Sequence, residues 1–215
     1  YDGKKYHFLH CGCSLCGRGI ILMNVLILNG SPRANGKISR ILHCIEKTAL
    51  ENGNEVTFVD VHSLSFSSCI GCMACRSKSL CVLPPDDAHR IALLLQKCDV
   101  LVAGSPVYWG NISGDLKRLF DRLVGVMMGE TKLGMPLPLH KGKCALVVTS
   151  CTTPFPFNVL AGQSTKAVQA MKEILSYSGF KICGKIVLPG TKGMKKLPPR
   201  VEKKARTLAK RISLL

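Results

Sequence analysis

Several things are scarce or missing in this sequence of 215 residues. No apolar run approaches the roughly 18 residues of a membrane-spanning helix, so the sequence carries no helical membrane span. Acids are few: 13 Asp and Glu stand against 30 Lys and Arg, a net charge of +17, so an electrostatically recruited partner is anionic. No internal repeat and no low-complexity linker interrupts the chain, which excludes a repeat array. What is present is enough for a core, since 47% of residues are hydrophobic, and the length suits one domain with a small appendage.

The charge is concentrated at one end. Between Lys181 and Leu215 stand eleven basic residues and one acid, Glu202. The plain reading is the solvated face of a C-terminal helix. The alternative is a docking surface for an acidic protein, a membrane surface or nucleic acid, which would show steeply salt-dependent binding. No aromatic residue interleaves these lysines, and no helix-turn-helix, zinc-finger or RNA-module signature accompanies them, so nucleic acid is the weakest of these partners.

The first residue is Tyr1, and residues 1–22 read as an N-terminal extension outside the fold, with Met23-Asn-Val-Leu-Ile-Leu as a natural start. His7, His10 and the Cys11–Cys16 stretch interrupt any run resembling a signal peptide, so a cytoplasmic, reducing location is expected. There, twelve cysteines read as metal ligands, redox groups or buried thiols ahead of disulfides. Cys11, Cys13 and Cys16 with His10 form only a weak metal set, lacking a downstream partner pair.

From Met23 the pattern alternates. Strands are predicted at Val25–Leu28, Glu55–Val59, Asp99–Ala103, Cys144–Val148 and Lys181–Leu188, several of them continuous apolar runs that fit strands buried on both faces. Helices are predicted at Ser39–Asn52, from an Asp86-Asp87 cap to about Lys97, and at Ser113–Val126, Ser164–Ser178 and Arg200–Leu214. This is an α/β chain: a flavodoxin-like three-layer sandwich over 23–215, with a five-stranded parallel sheet of order 2-1-3-4-5 and helices on both faces. Ligands of such sheets bind at the carboxyl ends of the strands.

The first of those ends is Asn29-Gly-Ser-Pro-Arg-Ala-Asn-Gly-Lys-Ile-Ser39, between a buried strand and a helix. Small residues let the backbone approach an anion, and a helix N-terminus offers free N–H groups and a positive dipole end. Ser31, Asn35 and Ser39 add side-chain donors, and Arg33 and Lys37 add charge. A nucleotide P-loop fails here on spacing, because five residues separate Gly30 from Gly36 and Ile38 replaces the magnesium-binding hydroxyl; G-x-G-x-x-G is absent.

Gly30-Ser-Pro-Arg, Asn35-Gly, Gly104-Ser-Pro-Val-Tyr-Trp-Gly-Asn111 and Leu116-Lys-Arg-Leu-Phe-Asp-Arg122 together resemble the NADPH-dependent FMN reductase-like proteins of the flavodoxin superfamily, over roughly 23–190. The resemblance implies that Ser31, Arg33, Asn35, Lys37 and Ser39 hold the FMN phosphate. It implies that Pro106, Val107, Tyr108, Trp109, Gly110 and Asn111 meet the isoalloxazine ring, with Ser150 opening a third loop, Ser150–Asn158, near the ring or the nicotinamide entry. One departure is visible: the family's Gly-Asn-Thr is here Gly36-Lys37-Ile38, which removes a phosphate-binding hydroxyl.

Cys69-Ile-Gly-Cys72-Met-Ala-Cys75-Arg-Ser-Lys-Ser-Leu-Cys81 is a C-x2-C-x2-C-x5-C run. Four thiolates this compact can wrap one inorganic core, and C-x2-C-x2-C is a spacing used on 4Fe-4S cubes, whereas zinc sites usually have two separated knuckles. Free or paired thiols and zinc remain the alternatives. The spacing and its place after the second strand also resemble the iron–sulfur flavoprotein branch of the same family, which implies a 4Fe-4S cluster on Cys69, Cys72, Cys75 and Cys81. Cys44, Cys98, Cys144 and Cys183 are expected as core thiols.

The reading is an FMN-dependent oxidoreductase that takes electrons from NAD(P)H and passes them, through the cluster, to an acceptor; the cofactors carry the chemistry and no general acid or base is named. The close alternative is an FMN or quinone reductase whose cysteines hold no cluster. Val124 to Leu139, apolar and too irregular for a core helix, predicts a homodimer or homotetramer.

Overall fold

A computed structural model describes residues 22–213. The expected N-terminal extension, with His10, Cys11, Cys13 and Cys16, lies outside these residues apart from Leu22.

In chain order the elements are β1 (Asn24–Asn29), α1 (Lys37–Glu51), β2 (Glu55–Asp60), a 3-10 turn (Val61–Ser63), α2 (Cys75–Lys78) and α3 (Asp87–Lys97). There follow β3 (Val100–Pro106), α4 (Gly114–Met127), β4 (Met128–Glu130), β5 (Pro136–Pro138) and β6 (Cys144–Ser150). The chain ends with α5 (Phe157–Leu160), α6 (Gln163–Tyr177), β7 (Lys181–Leu188) and α7 (Pro199–Ile212). The main sheet has the order β2-β1-β3-β6-β7 and all its pairs are parallel. With its main strands counted one to five this is 2-1-3-4-5, the expected order.

Side-chain alternation divides each central strand between two cores. Val25 and Ile27 of β1 join Val100, Val102, Leu146 and Val148 under α1 and α7. Leu26 and Leu28 join Leu101, Ala103, Ala145 and Val147 under α3, α4 and α6. Each such leucine or isoleucine taken wholly from water contributes about 1.5–3 kcal/mol before chain entropy is counted. The last helix is amphipathic as read: Val201, Ala205, Leu208, Ala209 and Ile212 are buried, while Lys203, Lys204, Arg206, Lys210 and Arg211 line the other side. No described helix is long and apolar enough to cross a membrane.

Two features differ from expectation. Cys144 and Cys183, read as core thiols, form a disulfide across β6 and β7, with Cα atoms 5.9 Å apart. The register slips between Ala145 and Leu146: Ile182 pairs with Ala145 and Gly184 with Leu146. Cys183 is the extra residue of that bulge, and both cysteines pack in the core under α1 and α7. Secondly, Val124–Leu139 is more regular than its composition suggests. It completes α4, burying Val126 and Met127, and then forms the antiparallel β4–β5 hairpin, Met128 facing Pro138. His140 closes the hairpin's base. Its Nε2–H donates to the Val126 carbonyl over 2.8 Å and its ring stacks on Phe180, the centroids 4.6 Å apart. Burial pushes the His140 pKa below the ordinary histidine value, in keeping with a neutral ring.

Candidate functional site: a cleft at the strand ends and an adjoining cysteine loop

A cavity of about 540 Å³ opens at the carboxyl ends of β1, β3 and β6. Of the residues singled out from sequence, it gathers Ser31, Arg33, Asn35, Lys37, Pro106, Val107, Tyr108 and Ser150. Four others do not line it: Ser39, Trp109, Gly110 and Asn111.

The Ser39 hydroxyl is spent within the loop, donating to the Arg33 carbonyl over 2.7 Å and accepting from Asn29 Nδ2 over 3.0 Å. Asn29 also donates to Asp60 over 2.6 Å, so a buried chain of polar contacts fixes the loop to both neighbouring strands. The loop lies tight against the next one, the Gly30 N–H donating to the Gly104 carbonyl over 2.7 Å. At its far end Gly36 is the N-cap of α1 and makes no side-chain cap bond; a Cβ there would meet the Arg33 carbonyl at 3.0 Å. The first N–H groups of α1 therefore face the cleft without a capping acceptor among the described residues, and no acid stands in the first turn. Together with Arg33 and Lys37 they could hold an anion.

The second loop leaves β3 at Pro106 and turns sharply. Tyr108 and Asn111 exchange backbone hydrogen bonds of 2.9 Å, while Trp109 and Gly110, at φ 52° and 74°, supply the two left-handed residues of such a turn. This reversal points Trp109 wholly into solvent. The expected third loop contributes Cys151 and Thr152 beside Ser150, and a wall that sequence reading missed comes from Thr191, Gly193 and Met194 after β7. Lys37 Nζ and Arg40 Nη1 both donate to the Lys195 carbonyl, over 3.2 and 3.1 Å, tying that late loop to α1.

The four cysteines of the run lie on the segment between β2 and α3. Cys69 and Cys72 are exposed, Cys75 and Cys81 partly buried. The segment bends through left-handed residues at Gly71, Met73 and Ser79, the Gly71 N–H pointing at the Cys69 sulfur over 3.5 Å. Among the described residues no three metal-ligating side chains are already gathered. The chemistry of the set nonetheless fits a cationic core. Burial raises the Cys75 pKa, and the charges of Cys81, Cys69 and Cys72 act on it in the same direction. The segment packs on α4 at Gly125, where an added Cβ would stand 2.8 Å from Cys75 Cβ, and on the hairpin, where Arg76 pairs with Glu130 over 2.8 Å. Gly30 touches the same helix at Leu116. Gly125 lies nine positions after Leu116, which places cleft and cysteine loop about 14 Å apart along α4.

The family model for NADPH-dependent FMN reductase matches residues 23–188. An iron–sulfur flavoprotein of Clostridioides difficile is 26% identical over 191 residues, covering 88% of this chain and 77% of that protein. An iron–sulfur flavoprotein of Methanocaldococcus jannaschii is 33% identical over 100 residues, 46% of this chain and 51% of its own; the chain thus spans only about half of this second relative. In fold, an FMN-dependent NADH-azoreductase of Bacillus anthracis in complex with FMN superposes with a TM-score of 0.68 at 13% identity, over 89% of this chain and all of its own. The matched span holds both Gly-Ser-Pro loops and the cysteine run, and the chain accordingly belongs to the NADPH-dependent FMN reductase family of flavin oxidoreductases.

Proposed function

We propose that the chain is an NAD(P)H-dependent FMN oxidoreductase that also carries a 4Fe-4S cluster and delivers electrons to a further acceptor. The observation that carries the flavin assignment is the anion cradle at one end of a 540 Å³ cleft, a volume within the range of cofactor sites. The backbone N–H groups of α1, with Ser31, Asn35, Arg33 and Lys37, would hold the phosphate. Charge-assisted bonds from Arg33 and Lys37 replace the hydroxyl lost at Ile38. Pro106, Val107 and Tyr108 would carry the ring on one side, and Ser150 to Thr152 on the other. FMN, when bound, supplies hydride acceptance from a nicotinamide and release of electrons one at a time. The chain's own part is to bind, to orient and to exclude water; no side chain in the cleft is assigned a proton-transfer role.

Cys69, Cys72, Cys75 and Cys81 would hold the cluster. In support stand the run's spacing, the charges of Cys81, Cys69 and Cys72 acting on Cys75, and the names of the two iron–sulfur relatives. Leu133 and Met135 at the hairpin tip, with Ile70 and Met73 on the cysteine loop, are exposed and apolar, which favours a homodimer covering this side.

Anaerobic purification with flavin extraction and iron and sulfide analysis tests both assignments. The expected outcome is FMN with about four irons per chain, and iron lost in Cys72→Ser while FMN stays bound and NAD(P)H still reduces it. Extraction of FAD, or no flavin after reconstitution, refutes the first assignment. Full iron in Cys72→Ser, or no iron uptake by the wild type, refutes the second and leaves a cluster-free FMN or quinone reductase.

A further inference from the structure

Both ends of the cysteine loop are anchored to one buried polar network. At the entrance, the Ser67 carbonyl accepts from Arg122 Nη1 over 2.6 Å and the Ser67 N–H donates to Asp86 Oδ2 over 3.2 Å. At the exit, the Cys81 carbonyl accepts from His89 Nε2 over 3.0 Å. His89 Nδ1 accepts the Asp86 N–H over 3.1 Å, and Asp86 takes a fork from Arg122, Nη1 to Oδ2 at 2.8 Å and Nη2 to Oδ1 at 3.1 Å. The Arg122 side chain is wholly buried, and its Nε has no acceptor among the described residues. A buried guanidinium with donor capacity left over is costly unless something negative lies beside it.

We propose that Arg122 is a positioning residue for the cluster: held by Asp86, it fixes both ends of the cysteine loop and keeps a buried positive donor at the loop's entrance, raising the reduction potential of a cluster bound there. This rests on the reading that the four cysteines hold such a cluster. Cys81 joins the same network through its carbonyl, held by His89, and the fork to Asp86 keeps the buried guanidinium paired. Gly125, one turn further along α4, lets Cys75 settle on the helix. One helix thus provides both the floor of the loop and its counter-charge. Hydrogen bonds and charge next to ligating sulfurs set cluster potentials, and partners that orient ligands govern retention of the metal.

The test compares the anaerobically reconstituted wild type with Arg122→Lys and with the double variant Arg122→Met/Asp86→Asn. The lysine keeps the charge but has no fork, so it serves Asp86 or the Ser67 carbonyl and not both. The double variant removes both partners together and keeps a capping side chain at the start of α3. Readouts are flavin content, the half-life of iron under a chelator, and the cluster potential from a redox titration followed by electron paramagnetic resonance. Expected are equal FMN occupancy, potentials falling in the order wild type, lysine variant, double variant, and iron released about 10–100-fold faster in the double variant. Identical potentials and release in all three, with iron loaded, overturn the role of Arg122 and leave the cluster assignment standing. A wild type that takes up no iron overturns the cluster assignment and this inference with it.

Discussion

Gly30→Ala is the most direct perturbation of the cleft. The substituted Cβ would stand 2.9 Å from Leu116 Cβ, 2.9 Å from Ser113 Oγ and 3.0 Å from the Gly104 carbonyl oxygen. Comfortable carbon–carbon contact lies at about 3.5–4.0 Å, so a gap of at least about 0.6 Å has to be opened. Neither chief neighbour is the free end of a flexible side chain: Leu116 Cβ is fixed to α4, and the Gly104 oxygen is backbone that already accepts the Gly30 N–H at 2.7 Å. The loop itself has to move. Overpacking of this kind costs about 1–3 kcal/mol, and about 2–4 °C of Tm per kcal/mol for a chain this long. A half-ångström displacement also lengthens bonds from the loop to a phosphate beyond their usual 2.7–3.2 Å. Losing about 1–2 kcal/mol there raises the Kd for FMN about 5–30-fold. Fluorescence titration of apoprotein with FMN and a thermal melt are the assays, with Gly114→Ala as control, since a Cβ there meets nothing within 4 Å. A Gly30→Ala protein with wild-type Tm and wild-type FMN affinity refutes the close-packed-loop argument.

Three further outcomes are expected. Arg33→Ala weakens FMN by about 1–3 kcal/mol through loss of a charge-assisted bond, measured in the same titration; an unchanged Kd removes Arg33 from the cradle. Cys98 is buried, and burial pushes its thiol up to about 12, so with iodoacetamide near pH 8 the exposed Cys69 and Cys72 of cluster-free protein alkylate while Cys98 does not, as peptide mass mapping shows; prompt Cys98 labelling in folded protein refutes this. His140 has a folded pKa depressed below 6.5, so the unfolded chain takes up the proton first; its contribution is complete above about pH 6.5 and is lost as pH falls through the folded pKa. Melts of wild type and His140→Gln from pH 8 to pH 5 should differ in slope, and parallel curves refute this.

Much of the architecture was legible because strands buried on both faces leave continuous apolar runs. Val25–Leu28 and Asp99–Ala103 identified themselves in that way, and the Gly-Ser-Pro that follows each strand marked the cleft. The loop after β1 stood out by its small residues, though Ser39, read as a donor to ligand, is turned inward to the Arg33 carbonyl. The hairpin left no period to read: each strand has three residues, and one begins and ends with proline. The Cys144–Cys183 pair was hidden because its members stand 39 positions apart on separate strands, and only the β6–β7 pairing sets them side by side. The cleft wall at Thr191–Met194 and the buried Arg122–Asp86 pair are products of tertiary placement, for which local pattern has no signature.

Trp109 is the sole tryptophan of the chain, and it stands fully in solvent on the turn that borders the cleft. Light absorbed selectively by indole is therefore emitted from a single place, a few residues from Pro106, Val107 and Tyr108 of the cleft wall. The protein carries its own optical probe. Quenching of that emission by an absorbing ligand follows occupancy of the cleft in unlabelled, unmutated protein, and the wavelength of the emission reports whether another surface has closed over the turn.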